Sequence, residues 1–295
     1  MELNITKFSI GCDPEIFLTE EDGTPVSAHD LLPGTKKEPH KVPYGAIQVD
    51  GTAAEFNTDP VPSTDFDAFN RNVVKVMGDL HKEVSRNAKR NIKMKLASVQ
   101  EYPEGYFAEL PETAKELGCD PDYSAYTLQP NPRPDNTKTF RTGSGHLHIG
   151  WAADIPVDNP EHVEICADFV KMLDVTVGLF MTYLDREPRR RELYGKAGAF
   201  RPKPYGVEYR TPSNVWLQQK CYRKMVCEGL NKAIACKSSG YTVERVTGVT
   251  EEAIQMIIDT GNVSSAHTIL SRIYNGSYTF SRCVEEINAQ MKKAA

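Results

Sequence analysis

Residues 8–18 read Phe8-Ser9-Ile10-Gly11-Cys12-Asp13-Pro14-Glu15-Ile16-Phe17-Leu18. Phe8, Ile10, Cys12, Ile16 and Leu18 fall on one face of an extended chain and Ser9, Gly11, Asp13 and Glu15 on the other, which predicts a half-buried strand over residues 6–19. The same period of two puts both carboxylates on the face away from the core, close enough to address one cation or two neighbouring ones. Pro14 implies an edge or a bulge at that point. Alone, Asp-Pro-Glu is an ordinary solvated strand face; its weight comes from strands further along that repeat the arrangement.

A strand is predicted over residues 140–151, and in its Gly143-Ser144-Gly145-His146-Leu147-His148-Ile149-Gly150-Trp151, Leu147, Ile149 and Trp151 point one way and His146 and His148 the other. Flanking glycines leave room for backbone or ligand, which a strand built only for stability does not need. In Tyr205-Gly206-Val207-Glu208-Tyr209-Arg210-Thr211, Val207 and Tyr209 face the core while Glu208 and Arg210 share the opposite face, either as a strand ion pair or as part of a site. Asp22-Gly23 closes a hairpin, and Asp50-Gly51 separates Ala46–Val49 from Thr52–Asn57 as a second hairpin or a bulge, with Glu55 and Asn57 on one face.

The stretch from 189 to 210 holds Arg189, Arg190, Arg191, Lys196, Arg201, Lys203 and Arg210 against Glu192 and Glu208, a local charge of +5 in a chain of net charge −5. Interleaved glycines and prolines make it read as a cationic loop suited to phosphate. With 295 residues, 25% charged and 40% hydrophobic, the whole is an ordinary globular chain, and its mild acidity excludes an overall footprint for nucleic acid or anionic lipid. Seven scattered cysteines form no zinc or disulfide pattern, so reduced thiols are expected; no leader or spanning segment is seen, which predicts a cytoplasmic protein, or one of the host cytoplasm if phage-encoded.

Helical periodicity runs from a cap at Ser63 or Thr64 to about Arg90, and from Asn159-Pro160 to about Asp185. A strand is expected over Ile92–Leu96, and a long Pro- and Asp-rich loop over 101–138 with a short helix near 112–117. After Ser213 the chain reads as helical, near 213–236, 250–259, 264–273 and 281–293. The expected class is α+β, one domain over 1–295, with an antiparallel or mixed sheet and helices on one face.

These groups together suit a nucleoside triphosphate. Mg²⁺ prefers hard oxygen ligands, which Asp13, Glu15, Glu55 and Glu208 offer, a histidine can complete a second position, and arginines take phosphate charge. A carboxylate is a poor electrophile; γ-phosphoryl transfer to it gives an acyl phosphate that an amine can attack.

The motifs GCDPEIFL, DGTAAEFNT, GSGHLHIGW, RRRELYGKAGAFR and YGVEYRTPSN, in this order over about residues 8–216, resemble those of the carboxylate-amine ligases related to glutamine synthetase and glutamate-cysteine ligase, in particular the amidoligase type 2 group found largely in tailed phages. The resemblance implies a curved, mostly antiparallel sheet of the glutamine synthetase catalytic-domain type with helices on its convex face. It implies ATP and Mg²⁺ (or Mn²⁺), an acid and an amine as small-molecule or peptide substrates, and no nucleic-acid or membrane partner. Carried over, Glu15 and Glu55 are metal ligands with Asp13 beside them. Glu208 holds a nucleotide-side metal with one histidine of the His146/His148 pair, His146 being assigned to metal and His148 to nucleotide. Arg210 touches phosphate and substrate carboxylate, and Arg190, Arg191, Lys196 and Arg201 bind the nucleotide. Arg210, Glu55 and Glu208 carry the catalysis. The chain departs from glutamine synthetase in having Asp-Pro-Glu where that enzyme has two glutamates, and in lacking a counterpart of its small N-terminal domain, so no ring assembly is implied. Two other readings remain: an oxygenase or hydrolase in which His146, His148 and a carboxylate form a facial triad, and a non-catalytic phage or host-interaction module.

Overall fold

A computed structural model describes residues 8–115, 122–133, 135, 137–152 and 154–294. The predicted first strand is two strands, β1 (Ser9–Cys12) and β2 (Glu15–Thr19), belonging to different sheets. The reason is Pro14: without an N–H it cannot continue a ladder, so the chain bends and changes partners there. Thr6 and Lys7 of the predicted strand lie outside the described residues.

The second sheet continues with β3 (Pro25–Val26), β4 (His40–Val42), β5 (Gly45–Asp50) and β6 (Ala53–Thr58), in the order β3-β2-β6-β5-β4. The β5–β6 hairpin expected around Asp50-Gly51 turns through Gly51-Thr52, with Asp50 the last residue of β5 and paired to Ala53, and the register sets Glu15 opposite Glu55 and Gln48 opposite Glu55. Then follow β7 (Val61–Pro62) and helix α1 (Phe66–Ala88), which Asp65 caps, one or two residues after the expected cap. The expected strand after it is β8 (Lys93–Lys95), paired with β2.

The 101–138 region is more structured than expected. It is entered by β9 (Val99–Glu101) and contains α2 (Glu104–Glu109), α3 (Glu112–Lys115) and β10 (Tyr123–Ser124); residues 116 and 117 of the predicted helix, and Cys119, are outside the described set. The predicted strand 140–151 also splits, into β11 (Phe140–Thr142), paired with β9, and β12 (Leu147–Gly150) in the main sheet. The Gly143–His146 break between them follows the bend at Asp13-Pro14, because Glu15 N–H bonds the Ser144 carbonyl and Asp13 N–H the His146 carbonyl.

Helix α4 (Pro160–Leu173) runs through a π-helical turn, Asp174–Gly178, into α5 (Leu179–Leu184). After α6 (Arg190–Leu193) comes a correction: Ala199–Lys203 is a strand, β13, hairpinned to β14 (Gly206–Tyr209), and not part of a loop. Proline is tolerated there, at Pro202. The main sheet is ordered β10-β13-β14-β12-β1-β7, every pairing antiparallel. A 3₁₀ turn (Asn214–Leu217) leads to the helical end: α7 (Lys220–Ser238), α8 (Val243–Thr247), α9 (Glu251–Thr260), α10 (Val263–Ile273) and α11 (Tyr278–Ala294).

The fold is thus α+β, with antiparallel strands that curl into a half-barrel at Asp13-Pro14. Helix α4 packs on β13 and β14, α1 on β5 and β6, and α7 against both helices. Ile10, Ile16, Phe56, Phe69, Leu147, Ile149, Phe169, Val207 and Tyr209 fill the layer between sheet and helices, each large apolar side chain contributing about 1.5–3 kcal/mol by burial. The alternate residues face away from that layer, and they are the ones with chemistry. The six described cysteines are free, and no described helix is long and apolar enough to cross a membrane.

Candidate functional site

The hollow of the half-barrel is a cavity of about 350 Å³ lined by Asp13, Glu15, Glu55, His146, Arg201, Glu208 and Arg210 together with Lys36, Gln48, Asp50, Ser144, Tyr194 and Lys203, among others. Strands β2, β5, β6, β13 and β14 bring Glu15, Gln48 and Asp50, Glu55, Arg201 and Lys203, and Glu208 there because alternation points the other face into the core. Asp13, His146 and Arg210 stand immediately beyond the ends of β1, β12 and β14.

At one end, Asp13, His146 and Glu208 offer ligand atoms within 4.8 Å of one another. His146 Nδ1 is 3.5 Å from Asp13 Oδ1 and 3.5 Å from Glu208 Oε1. Burial and the Arg210 charge push His146 down to about 4, so its ring is neutral at pH 7, as a metal ligand requires. Asp13 Oδ1 and His146 Nε2 are buried without hydrogen-bond partners. Orphaned buried acceptors and a mixed oxygen–nitrogen set fit a divalent cation. His148 lies just behind, its Nε2 2.9 Å from Asp13 Oδ2 and its Nδ1 paired with Tyr205 Oη. Burial opposes the charge on Asp13, but the His148 and His146 rings hold its carboxyl well below the usual range.

Glu208, 1% exposed, is ringed by cations: Arg210 Nη1 pairs with Oε1, Lys203 Nζ is 2.8 Å and Arg201 Nη1 3.3 Å from Oε2. Burial works against its charge; Arg210 above all, then His148, His146 and Arg201, keep it well below the usual carboxylate range. Arg210 also donates from Nε to Asp122 Oδ2 at 3.2 Å.

The other end is different. Glu15 and Glu55 face each other across the β2–β6 register, with Asp50 beyond them. Burial and the Asp50 charge push Glu15 up to about 7, against a 3.0 Å bond from Ser144 N–H and the charges of Lys36 and Arg210. Burial and the carboxylates of Asp50, Asp13 and Glu15 raise Glu55 well above the usual range, and its Oε2 is buried with no partner. Lys36 Nζ is 2.8 Å from Asp50 Oδ2.

Three candidates from the basic segment stand elsewhere. Arg190, 1% exposed, donates to the carbonyls of Thr211 and Pro212 at 2.8 and 2.9 Å, and Arg191 to the Asp185 carbonyl at 3.2 Å. Lys196 lines a separate cavity of about 40 Å³. Counting charge along the sequence cannot distinguish a guanidinium spent on backbone carbonyls from one aimed at a ligand. Conversely, Lys36, Asp50, Asp122 and Tyr205 were missed as site members, and Lys203 was named only as one charge of the basic stretch. Asp50 reads as a turn residue and Asp122 as loop; only the period of two after Arg201 signalled Lys203.

Carboxylates, an imidazole, guanidinium groups and ammonium groups thus converge in the hollow of an antiparallel half-barrel. Residues 136–248 match the family model described as phage phiEco32-like COOH.NH2 ligase-type 2, which supports an amidoligase-type assignment and an enzyme of the carboxylate-amine ligase kind. The match spans both histidines, the basic segment and β14; Asp13, Glu15 and Glu55 lie outside it and join the site through the fold. No curated protein matches the chain.

Proposed function

We propose that this chain joins a carboxylate to an amine at the expense of ATP, through an acyl phosphate, in a catalytic domain of the glutamine synthetase type. One observation carries the reading: two carboxylate groups with unpaired buried acceptors and three cations, Arg201, Lys203 and Arg210, share one cavity in a chain whose sequence matches a ligase family. Asp13, His146 and Glu208 would hold one divalent cation, and Glu15 and Glu55 another. Such ions, when bound, neutralise phosphate charge and polarise its oxygens.

The chain's own residues do the rest. Arg210, supported by Arg201 and Lys203, binds the transferring phosphoryl group and the acid's carboxylate. A carboxylate oxygen attacks the γ-phosphorus, the bond to the β-phosphate oxygen breaks and ADP leaves; the amine nitrogen then attacks the acyl carbon, inorganic phosphate leaves and the nitrogen gives up a proton. Fixed guanidinium and ammonium donors in a half-enclosed hollow stabilise the charge developing in both steps, an effect worth about 3–4 kcal/mol per donor in comparable sites. The family match does not favour a histidine-triad oxygenase or hydrolase.

The test is ADP release from Mg·ATP over a panel of amino acids and polyamines. Release that needs both an acid and an amine supports the reading. Absence of ATP turnover, with iron or zinc co-purifying, would move the site to the histidine-triad reading.

A further inference from the structure

Behind the cationic strand lies a second set of buried charged groups that the proposed reaction does not use. Asp174 opens the π-helical turn and is fully buried. Its Oδ1 accepts from Tyr209 Oη at 2.6 Å and from Thr211 Oγ1 at 3.3 Å, and its Oδ2 from Tyr126 Oη at 2.9 Å. These partners are hydroxyls rather than cations, which is a costly way to bury a carboxylate. Space is cut to fit: a Cβ at Gly178 would lie 2.7 Å from Tyr209 Oη and 3.0 Å from Asp174 Oδ1.

The three hydroxyls share one neighbour. Tyr209 and Thr211 flank Arg210 in sequence, and Tyr126 lies four residues beyond Asp122, the carboxylate that accepts from Arg210 Nε. Arg190 grips the same place from its other side, through the carbonyls of Thr211 and Pro212, with Asp185 Oδ2 3.8 Å from its Nη1. Gly195 makes room for it, since a Cβ there would meet Arg190 Nη1 at 1.6 Å. The single proton of the Thr211 hydroxyl has two acceptors in reach, the Lys196 carbonyl at 3.0 Å and Asp174 Oδ1 at 3.3 Å, while the Thr211 carbonyl accepts from the buried Arg190, so the firmest ties to Asp174 are those of Tyr209 and Tyr126.

We infer that Asp174 and Arg190 are positioning residues for Arg210, a buried frame that fixes the strand end carrying its guanidinium and, through Tyr126, the segment carrying Asp122. Neither side chain lines the cavity. The frame is a statement about geometry; only its catalytic meaning rests on the ligase reading above. An apolar core would hold the strand as stably, but without directional bonds on either side of one residue.

The test reads Arg210 directly and needs neither ATP nor substrate. In full-length protein labelled with ¹⁵N-arginine, the Nε–H signal of Arg210 is identified by its loss in Arg210→Lys. Asp174→Asn, Arg190→Lys, Tyr126→Phe and Thr211→Val are then compared with wild type. A positioning role predicts that the folded variants shift this signal and speed its exchange with solvent at least about tenfold. Should Asp174→Asn or Arg190→Lys not fold, Tyr126→Phe and Thr211→Val decide, since each removes one hydroxyl and little volume. An Arg210 signal unchanged in the folded variants, with only the melting temperature lowered, would overturn the inference. The predicted shifts in the variants, together with a wild type that turns over no ATP, would refute the ligase reading and leave the frame standing.

Discussion

The two ends of the cavity present the same side chain in opposite states. Glu208 is buried among Arg210, Lys203 and Arg201, which hold its charge in place. Glu15 and Glu55 are buried against each other and Asp50, with the charge of Lys36 nearby, and their proton affinities rise. Neighbours, not residue type, decide the charge of a buried carboxylate. At one end the protein itself supplies Glu208 with counter-charge, beside the Asp13 and His146 atoms that could share a cation with it; at the other, crowded carboxylates leave an incoming cation to relieve them.

The sharpest way to break this comparison is catalytic. If both ends act in one reaction, Glu208→Gln and Glu15→Gln each lower ADP formation by at least about 10³-fold with the fold retained by circular dichroism. Near wild-type turnover in either variant would remove that end from the chemistry.

Stability of the metal-free protein should separate the ends by sign. Glu208→Gln leaves three cations around a neutral amide and costs about 3–5 kcal/mol. Glu15→Gln relieves burial and like charge and adds about 1–3 kcal/mol at pH 8. The windows differ too. Because Glu15 is raised to about 7, its contribution to stability is complete below the ordinary value of 4.5 and is lost as pH climbs through about 7, so the gain from Glu15→Gln disappears near pH 4. Glu208 is depressed, so its contribution is present above 4.5 and lost as pH falls through its lowered value. Urea titrations in EDTA at pH 5 and 8 measure both, and two changes of the same sign at pH 8 would erase the distinction.

A smaller effect is expected from Arg210→Lys, about 10–100-fold in kcat/KM, because an ammonium cannot reproduce the guanidinium fork that spans Glu208 and Asp122. Retention of most activity would reduce Arg210 to bulk charge. The smallest concerns Lys36, which is half exposed: Lys36→Met should tighten Mn²⁺ binding by about two- to fivefold, seen by calorimetry. Unchanged affinity would mean that cations bind at the Glu208 end alone.

Alternation along residues 8–18, 143–151 and 205–211, read locally, was enough to assign the α+β class and to put Asp13, Glu15, His146, Glu208 and Arg210 on faces away from the core, and the order of motifs was enough for the ligase resemblance. A strand's period depends only on backbone geometry, so it is written in every few residues. Which strand lies beside which is not, because pairing joins residues far apart in the chain: the change of sheets at Asp13-Pro14, the register that faces Glu15 with Glu55, and the arrival of Lys36, Asp50 and Asp122 at the site were decided by the tertiary structure. The same holds for Arg190. Its charge was legible in the sequence, but whether that charge faces a ligand or the carbonyls of Thr211 and Pro212 is settled by packing, which alone determines what a buried donor can reach.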